Sequence, residues 1–514
     1  MSRSKRFFSG LLSSYAAIAA NMAFSIATIP LVLHHLGREE YGVFILVTQF
    51  ASYLMLLELG MSGSVSRSLA DHKDQMAGGI YGSILRTGTR VFAIQGFAVA
   101  GLGLILAWWA PVLLNIAPHL RQPFTALMAA QALLNGIKLA TNSLSAPLWC
   151  HQRLDLSNLA SIFSFIVSFA VLWAGLHFGW WLYSLTIATA AGLLTSLVLI
   201  YVSCRRCGYY PPPEARGQFD RQIFRELFHF GSGLFLMNLG GQLTSASQVI
   251  IISRLLGTGI AADWAIATKV FTMAQQFVAR IMDSSAGGLA EMLVRGETKM
   301  LEKRFRDIVM ISGVLATAAA AGIALANGPF IELWTSGKVS WFSWNNLLLA
   351  CLLFTTSITR CHTSLVGITM QIRAMKFIYL IEGVTFVLLG VFLCKWFGLP
   401  GLLIASIICN LLITGIYSVR RTASYLEIPA TSVLGWVTRQ FSVLLLVAGL
   451  FVIIQLSTLP AQSSTGYFGI ALTIYLLLVL PILWFVGIPP GLRSELTSLI
   501  AKVARKSKAA IGIA

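Results

Sequence analysis

The sequence predicts an all-α polytopic membrane protein with about 14 transmembrane helices. Hydrophobic residues make up 57% of the 514 residues and charged residues 11%, whereas a soluble globular chain carries about 25% charged residues. The apolar residues are grouped into runs of roughly 20, the length that crosses a bilayer as a helix. Lysine and arginine are also concentrated in alternate loops. The chain is therefore expected to cross a membrane many times.

Residues 1–203 are predicted to form an N-terminal six-helix half. Basic residues precede the first span, which is too long for the hydrophobic region of a signal peptide, so no cleavable leader is expected. The predicted spans of this half are 12–33, 41–65, 88–109, 124–146, 156–178 and 180–202.

Residues 204–229 are predicted to be a cytoplasmic linker with an amphipathic helix. Three consecutive prolines make the first part of the linker stiff and non-helical. In the following stretch QFDRQIFRELFHF, Phe219, Ile223 and Leu227 share one side, which indicates a helix lying on the inner membrane surface. The alternative interpretation is that this stretch simply forms the beginning of the seventh span.

The rest of the chain is predicted to hold a second half and an added pair of helices. The domains are a C-terminal six-helix half at 230–425, a helix pair at 440–487 and a basic cytoplasmic tail at 488–514. The predicted spans are 230–252, 260–282, 308–332, 346–368, 377–396, 400–419, 440–458 and 466–487.

An internal repeat supports the division into two pseudo-symmetric halves. Leu36-Gly37 recurs 220 residues later as Leu256-Gly257. The same offset aligns Thr48 with Thr268, Ser64 with Ser284, Leu69-Ala70 with Leu289-Ala290, Arg86 with Arg306 and Arg153 with Arg373. A constant offset across matching spans is a stronger signal than any single identity. Because each unit has six spans, the copies share one orientation and are expected to enclose a central cavity.

The positions of the basic residues predict that both termini are cytoplasmic. Most of the 37 lysines and arginines fall in the segments on the side of the N-terminus. The opposite loops hold Arg38, Arg121, Arg254, Lys338 and Lys395, and the spans hold Lys138, Lys269 and Arg360. This asymmetry follows the positive-inside rule. The formal charge of +18 therefore indicates topology and contact with anionic membrane lipids, not a nucleic-acid partner.

Polar side chains follow single faces of several predicted spans. Span four carries Gln131, Asn135, Lys138, Asn142 and Ser145, and span eight carries Thr268, Lys269, Thr272, Gln275 and Gln276. Spans one, seven and ten add Asn21, Asn238, Gln242 and Arg360. Facing lipid, each such group would cost on the order of one to several kcal/mol. These groups must therefore face protein or water.

These residues are the candidate substrate-binding site. Amides and hydroxyls offer donors and acceptors that suit a sugar, and the cations suit phosphate oxygens. Polar contacts between helices, with each cation paired to a carboxylate, are the alternative; Asp263 and Glu382 are among the available partners. Glu58, Arg67 and Asp283 are predicted to act in gating or at the cytoplasmic mouth.

Enzyme and metal motifs are absent from the sequence. It holds neither a Walker A motif nor HExxH, and the predicted outer loops are too short for a catalytic domain. Cys204 and Cys207 form a lone CxxC without a second ligand pair, which favours free thiols over a structural zinc site. No catalytic residue, cofactor or metal is predicted.

Residues 33–70, LHHLGREEYGVFILVTQFASYLMLLELGMSGSVSRSLA, resemble the second-span signature of the polysaccharide transporter family. The resemblance rests on Leu36-Gly37, Tyr41-Gly42, Tyr53, Leu59-Gly60 and Arg67. Members of this family are the Wzx-type flippases of the multidrug/oligosaccharidyl-lipid/polysaccharide (MOP) exporter superfamily. The resemblance implies a two-lobed bundle with a central cavity, in the bacterial cytoplasmic (inner) membrane.

The resemblance also implies the function and the partners. It implies flipping of a polyprenyl-pyrophosphate-linked oligosaccharide for O-antigen (lipopolysaccharide) or exopolysaccharide biosynthesis, with a polysaccharide polymerase and chain-length machinery as partners. A cation-coupled multidrug exporter of the same superfamily is the first alternative, although it favours carboxylates in its cavity. A membrane glycosyltransferase or polymerase is the second alternative and lacks the outer loop that it would need.

Overall fold

The computed structural model describes residues 3–491 except 73–74, 77–78, 115, 152, 340, 370–372 and 457–463, and beyond these only 493, 494 and 497. Most of the predicted basic tail at 488–514 therefore lies outside the described residues. The described chain is built of α-helices and contains no β-strand among these residues, so the all-α prediction is confirmed.

The helices follow one another along the chain, and the linker between the eighth and the ninth helix covers residues 207–220. The first ten are α1 (Arg3–His35), α2 (Arg38–Leu54), α3 (Met61–Asp71), α4 (Ile80–Leu113), α5 (Pro118–Ala140), α6 (Ala146–Cys150), α7 (Leu154–His177), α8 (Tyr183–Arg206), α9 (Arg221–Leu256) and α10 (Thr258–Ala267). The next ten are α11 (Lys269–Val294), α12 (Thr298–Trp334), α13 (Trp344–Ile368), α14 (Met375–Phe397), α15 (Leu399–Cys409), α16 (Ile416–Leu426), α17 (Ala430–Gly435), α18 (Thr438–Leu456), α19 (Ser464–Ile474) and α20 (Leu480–Ile482). Wider π-helical turns follow α15, α19 and α20 at Asn410–Gly415, Tyr475–Val479 and Leu483–Gly487.

Eleven segments of the described chain are long and apolar enough to cross a membrane. The predicted count of 14 is therefore not confirmed by this criterion. The three predicted spans missing from the eleven are those of α5, α11 and α13. Each of these helices has at least 23 residues, but each also carries one of the polar stripes, which lowers its mean hydropathy. The predicted and the observed numbers of apolar spans therefore differ only at helices that carry residues of the predicted substrate-binding site.

Contacts between helices divide the chain into two compact units. Unit 1 is Met1–Ile266 with Arg373–Gly398, and unit 2 is Ala267–Ile372 with Leu399–Ala514. Unit 1 thus contains α1 to α9, α14 and all of α10 except its last residue. The predicted division by sequence repeat, with domain boundaries at 203, 229 and 425, stays a prediction.

Small residues bring the helices of unit 1 together. A Cβ added at Gly96 of α4 would lie 2.5 Å from the carbonyl oxygen of Gly136 of α5. A Cβ added at Gly240 of α9 would lie 2.2 Å from the carbonyl oxygen of Tyr379 of α14. A serine allows a similarly close approach between α7 and α8, where Ser168 Oγ donates to the carbonyl of Ala188 at 3.0 Å. Close backbone approach of this kind is the usual way in which helices pack in membranes.

Unit 2 packs around the long helix α12. Phe305 and Val309 of α12 are fully buried against Leu289 of α11 and Leu365 of α13. The added pair α18 and α19 also packs on α12. Since α12 contacts helices on several sides, most of its apolar length is buried.

Two predicted helices have different limits in the structure. The stretch predicted to be an amphipathic surface helix is the first part of α9, which runs without a break from Arg221 to Leu256. Asp220 caps it by accepting from the N–H groups of Gln222 and Ile223 at 2.6 and 3.2 Å. Span four ends earlier than predicted, because α5 stops at Ala140 and a separate short helix begins at Ala146, where Pro147 in its first turn lacks an N–H.

Candidate functional site

A polar cavity of about 550 Å³ lies within unit 1. Its walls come from the turn that follows α2, from α9 and from α14. The lining residues are Met55, Leu56, Glu58, Leu59, Gly60, Phe235, Met237, Asn238, Gly241, Gln242, Ser245 and Tyr379. The structure therefore brings together three predicted site residues, Glu58, Asn238 and Gln242.

The cavity forms where the helix of span two is interrupted. After α2 the chain makes a 3₁₀ turn, Met55–Glu58, and then two residues adopt left-handed backbone angles, Leu59 with φ 54° and Gly60 with φ 73°. Left-handed angles stop a helix of L-residues, so α3 begins anew at Met61. Glu58 Oε1 accepts from the N–H of Ser62 at 2.8 Å and caps the new helix. The interruption thus places a carboxylate on the cavity wall.

Tyr53 fixes α2 against α9 beside the cavity. Its hydroxyl donates to the backbone carbonyl of Gln242 at 3.2 Å and lies 2.5 Å from Ser247 Oγ. On the other side, the close approach of Gly240 to Tyr379 holds α14 against α9. The wall residues of α9 are therefore held between two helices.

The chemistry of this cavity is mixed. Asn238 and Gln242 offer amide donors and acceptors, Ser245 offers a hydroxyl, and Glu58 offers acceptor oxygens. Met55, Phe235 and Tyr379 add apolar and aromatic surface. A ligand with hydroxyl groups on an apolar ring could satisfy both kinds of surface.

The amides of span four bind neighbouring helices. Gln131 Nε2 donates to Asn135 Oδ1 at 3.4 Å, and Asn135 Nδ2 donates to the carbonyl of Ala51 in α2 at 3.1 Å. Asn142, which lies beyond the end of α5, donates to Ser62 Oγ of α3. In the structure these groups hold α5 and the following turn against span two, so their role in substrate binding stays a prediction.

Lys269 is the first residue of α11 in unit 2. It follows a break at Thr268, which is buried between α10 and α11. Two carboxylates near it in the sequence pair with other residues: Asp263 pairs with Arg38 and Asp283 pairs with Arg360. Among the described residues, no carboxylate oxygen lies within 4.0 Å of the Lys269 ammonium nitrogen.

Two further contacts join α11 to α13 within unit 2. Arg360 Nη2 donates to Asp283 Oδ1 at 3.1 Å and to Oδ2 at 3.4 Å. Gln275 Nε2 donates to Thr356 Oγ1 at 3.3 Å. The Arg360 and Asp283 side chains are 50% and 38% exposed. The pair is therefore open enough for another anion to compete for the guanidinium.

The other predicted site residues are not gathered into the unit 1 cavity. Lys138 is exposed on α5, Gln276 is exposed on α11, Arg67 is exposed on α3 and Asn21 is half-buried on α1. In the part of the chain that the structure describes, Lys138 has no carboxylate within 4.0 Å. Their assignment to a shared site stays a prediction.

The sequence did not reveal two buried polar contacts. Arg38 of α2 binds the buried Asp263 of α10. Asn327, buried in α12, donates from Nδ2 to the carbonyl of Ala267 at 3.2 Å and to Asn346 Oδ1 at 2.9 Å. Asn327 was visible as an amide inside an apolar span, two residues before Pro329. No signal in the sequence pairs Arg38 with a residue 225 positions away.

Comparison with known proteins identifies the family. The sequence profile described as "Polysaccharide biosynthesis protein" matches residues 8–286, which is more than half of the chain. The chain belongs to this family. None of the curated protein sequences compared with the chain matches it.

Solved structures similar to this polysaccharide biosynthesis family member show the same fold. One is described as lipid II flippase MurJ in an inward closed conformation; the TM-score is 0.67 at 12% identity, covering 92% of this chain and 97% of the other. A multidrug resistance MATE family transporter of the MOP superfamily, inward-facing, gives 0.66 at 13% identity, covering 80% and 95%. A MOP superfamily transporter from Pyrococcus furiosus, described as having a binding pocket of reverse polarity, gives 0.63 at 13% identity, covering 83% and 97%.

The predicted family and fold class are thus confirmed for this polysaccharide biosynthesis family member. The eleven apolar helices in the described part of the chain, together with this fold, make it a multi-pass membrane protein. The likeness to the solved structures concerns the fold, because the identities are 12–13%.

Proposed function

We propose that the protein is a flippase that moves a polyprenyl-pyrophosphate-linked oligosaccharide across the bacterial cytoplasmic membrane by alternating access. The observation that carries this proposal is the polar cavity of unit 1, in a chain that belongs to a polysaccharide biosynthesis family. Its amides, hydroxyl and carboxylate suit the hydroxyl groups of a sugar. The likeness to a structure described as a lipid II flippase supports the same class of substrate.

Lys269 is proposed to hold the anionic pyrophosphate. It is half-buried at the start of α11 and has no carboxylate within 4.0 Å among the described residues. An ionisable group placed within a span is costly and usually marks a transport route. Arg360 is proposed to add a second, exchangeable contact, because its ion pair with Asp283 is half-exposed.

The membrane potential is proposed to contribute to the driving force. Outward movement of negative charge from a negative interior is favoured by about 2.3 kcal/mol per charge per 100 mV. The sequence contains no Walker A motif that would indicate ATP hydrolysis.

The first experiment is lipid analysis of a strain that lacks the protein. We expect one polyprenyl-linked oligosaccharide to accumulate on the cytoplasmic leaflet and surface polysaccharide to disappear. An unchanged lipid profile together with normal polysaccharide would contradict the proposed function.

The second experiment tests the cations. Lys269→Ala should abolish surface polysaccharide although the protein still reaches the membrane, whereas Lys299→Ala, which removes an exposed lysine at the start of α12, should leave it unchanged. For Arg360, the control is Arg295→Ala, which breaks the exposed Arg295–Glu291 pair at the end of α11. If Arg360 acts on substrate, Arg360→Ala reduces polysaccharide and Arg295→Ala does not; equal losses would assign the effect to the loss of an ion pair.

A multidrug exporter is the second candidate, and Glu58 is the observation that favours it. A carboxylate on a cavity wall suits cationic drugs and proton exchange. However, one oxygen of Glu58 already caps α3. Resistance to cationic drugs that is conferred by the chain and lost in Glu58→Gln would establish this function instead. Incorporation of labelled sugar by purified protein would establish the remaining alternative, a glycosyltransferase or polymerase.

The proposed function also implies an orientation in the membrane and a set of partners. Both termini are proposed to be cytoplasmic, as the lysine and arginine distribution predicts. Membrane lipids and the lipid-linked oligosaccharide are the immediate partners. A polymerase with its chain-length machinery is proposed to consume the product, for either O-antigen or exopolysaccharide.

A further inference from the structure

A buried ion pair joins the beginning of α2 to the interior of α10. Arg38 Nε donates to Asp263 Oδ1 at 3.0 Å, and Arg38 Nη2 donates to Asp263 Oδ2. The Asp263 side chain is 2% exposed and the Arg38 side chain 38%. This two-pronged geometry fixes both the distance and the orientation of the two groups.

The backbones of the same two helices also touch. A Cβ added at Gly42 of α2 would lie 2.0 Å from the carbonyl oxygen of Thr258, the first residue of α10. Each helix starts directly after a Leu-Gly turn, and Gly257 adopts a φ of 103° that favours glycine. The starts of α2 and α10 are therefore held together by backbone contact as well as by charge.

These helices occupy equivalent places in the sequence repeat. Leu36-Gly37 before α2 and Leu256-Gly257 before α10 are separated by the repeat offset of 220 residues. Arg38 and Asp263 thus connect one copy of the repeat to the other. Stability alone does not explain the pair, since well-packed apolar residues often replace a buried ion pair without loss. A charged contact that can open and reform is more useful where two copies must separate.

A pocket of about 750 Å³ opens beside the ion pair. Its lining includes Arg38, Glu39, His119, Ser253 and Gly257. Ser253 is 5% exposed, and its Oγ has no hydrogen-bond partner among the described residues. The lysine and arginine distribution predicts that this end of α2 and α10, here called the outer end, lies outside the cytoplasm.

We propose that the Arg38–Asp263 pair is an outer latch, which keeps the outer ends of α2 and α10 closed and opens when the protein releases its substrate. This inference rests on the proposed transport function, because a latch is needed only where the outer end alternates between closed and open. Closing the latch buries Ser253. Opening it exposes Ser253 to the outside.

The test measures that exposure directly. Ser253→Cys is introduced into the full chain, and a membrane-impermeant maleimide is added to spheroplasts, with the chain lacking the new cysteine as the blank. With the latch intact, labelling should be slow. Asp263→Asn removes the charge of the partner and should speed labelling by roughly tenfold, within the range typical of coupled conformational equilibria.

Three further variants keep the result interpretable. Gly42→Ala pushes α2 from α10 without changing charge and should also speed labelling. The charge exchange Arg38→Asp with Asp263→Arg should restore slow labelling. Asp155→Asn breaks the Arg153–Asp155 pair at the other end of unit 1's helices and should leave the rate unchanged.

The outcomes separate the latch from the transport function. Equal labelling rates in the parent, Asp263→Asn and Gly42→Ala would overturn the latch and leave flipping untouched. Faster labelling in Asp263→Asn that the charge exchange does not reverse would assign the effect to loss of structure, which also overturns the latch. Normal latch behaviour in a protein whose deletion leaves lipid and polysaccharide unchanged would reject the flippase proposal but retain the latch.

Discussion

The predicted sequence repeat aligns spans two and eight, but the structure interrupts them at different places. Span two continues as α2 to Leu54 and is broken at Leu59-Gly60. Span eight is broken at Thr268, which the repeat aligns with Thr48 in the middle of α2, and then continues as α11 to Val294. Equivalent sequence therefore does not produce an equivalent helix break.

Contacts from other helices explain the difference. At the first break, Glu58 caps α3 and Gln95 Nε2 donates to the carbonyl of Glu58 at 3.0 Å. At the second, Asn327 of α12 donates to the carbonyl of Ala267. Each break is stabilised where a neighbouring side chain satisfies a backbone group that the helix leaves free. The first break makes a cavity, and the second places Lys269 at a helix start.

The largest expected effect is at the ion pair that joins the start of span two to span eight. Arg38→Ala leaves the buried Asp263 carboxylate without its arginine and should lower the free energy of unfolding by about 3 kcal/mol. Unfolding by SDS in mixed micelles measures the change. A loss no larger than that of Asp155→Asn, which breaks a pair whose carboxylate is more exposed, would contradict the importance given to burial of the aspartate.

The next effect concerns the break at Thr268. Asn327→Ala removes a buried amide that makes two hydrogen bonds and should lower the free energy of unfolding by about 2 kcal/mol. The control is Asn135→Ala, which removes a bond to Ala51 and a longer one accepted from Gln131, and which should cost about 1 kcal/mol because Asn135 is only half-buried. The reverse order in the same unfolding assay would show that the amide does not support the break.

A smaller effect is expected from replacing glycine by alanine, because the backbone angles at the glycines differ between span two and α11. Gly60→Ala places a side chain at φ 73° and should cost roughly 1–2 kcal/mol. Gly288→Ala, at an open helical position in α11, should stabilise by about 0.5–1 kcal/mol. Similar effects at both positions would mean that span two is not held in its broken form.

The smallest stability change is expected at the exposed pair of unit 2. Asp283→Asn should alter the free energy of unfolding by about 0–1 kcal/mol, because both side chains reach solvent. The same unfolding assay measures it. A loss comparable with that of Arg38→Ala would show that the Arg360–Asp283 pair is structural and would weaken its proposed exchange with substrate.

Most of the fold could be predicted from sequence, but less of the candidate site. Long apolar runs identify membrane helices by length and hydropathy alone, and the Leu-Gly pairs mark the turns before α2 and α10. The polar faces of α5 and α11 were also visible as helical spacings. Spacing does not tell whether an amide faces a ligand or a neighbouring helix, and Asn135, at the correct spacing, binds the backbone of α2.

By itself, the sequence determined the all-α membrane class and the family, because these depend on composition and on local motifs, and it predicted the repeat from a constant offset of 220 residues. The tertiary structure alone decided the partners of the charges. Asp263 binds Arg38 and not Lys269, which is nearer in the sequence, because the fold brings the start of α2 to α10. A charge buried at low dielectric binds the opposite charge that packing places beside it, and sequence distance does not enter that interaction.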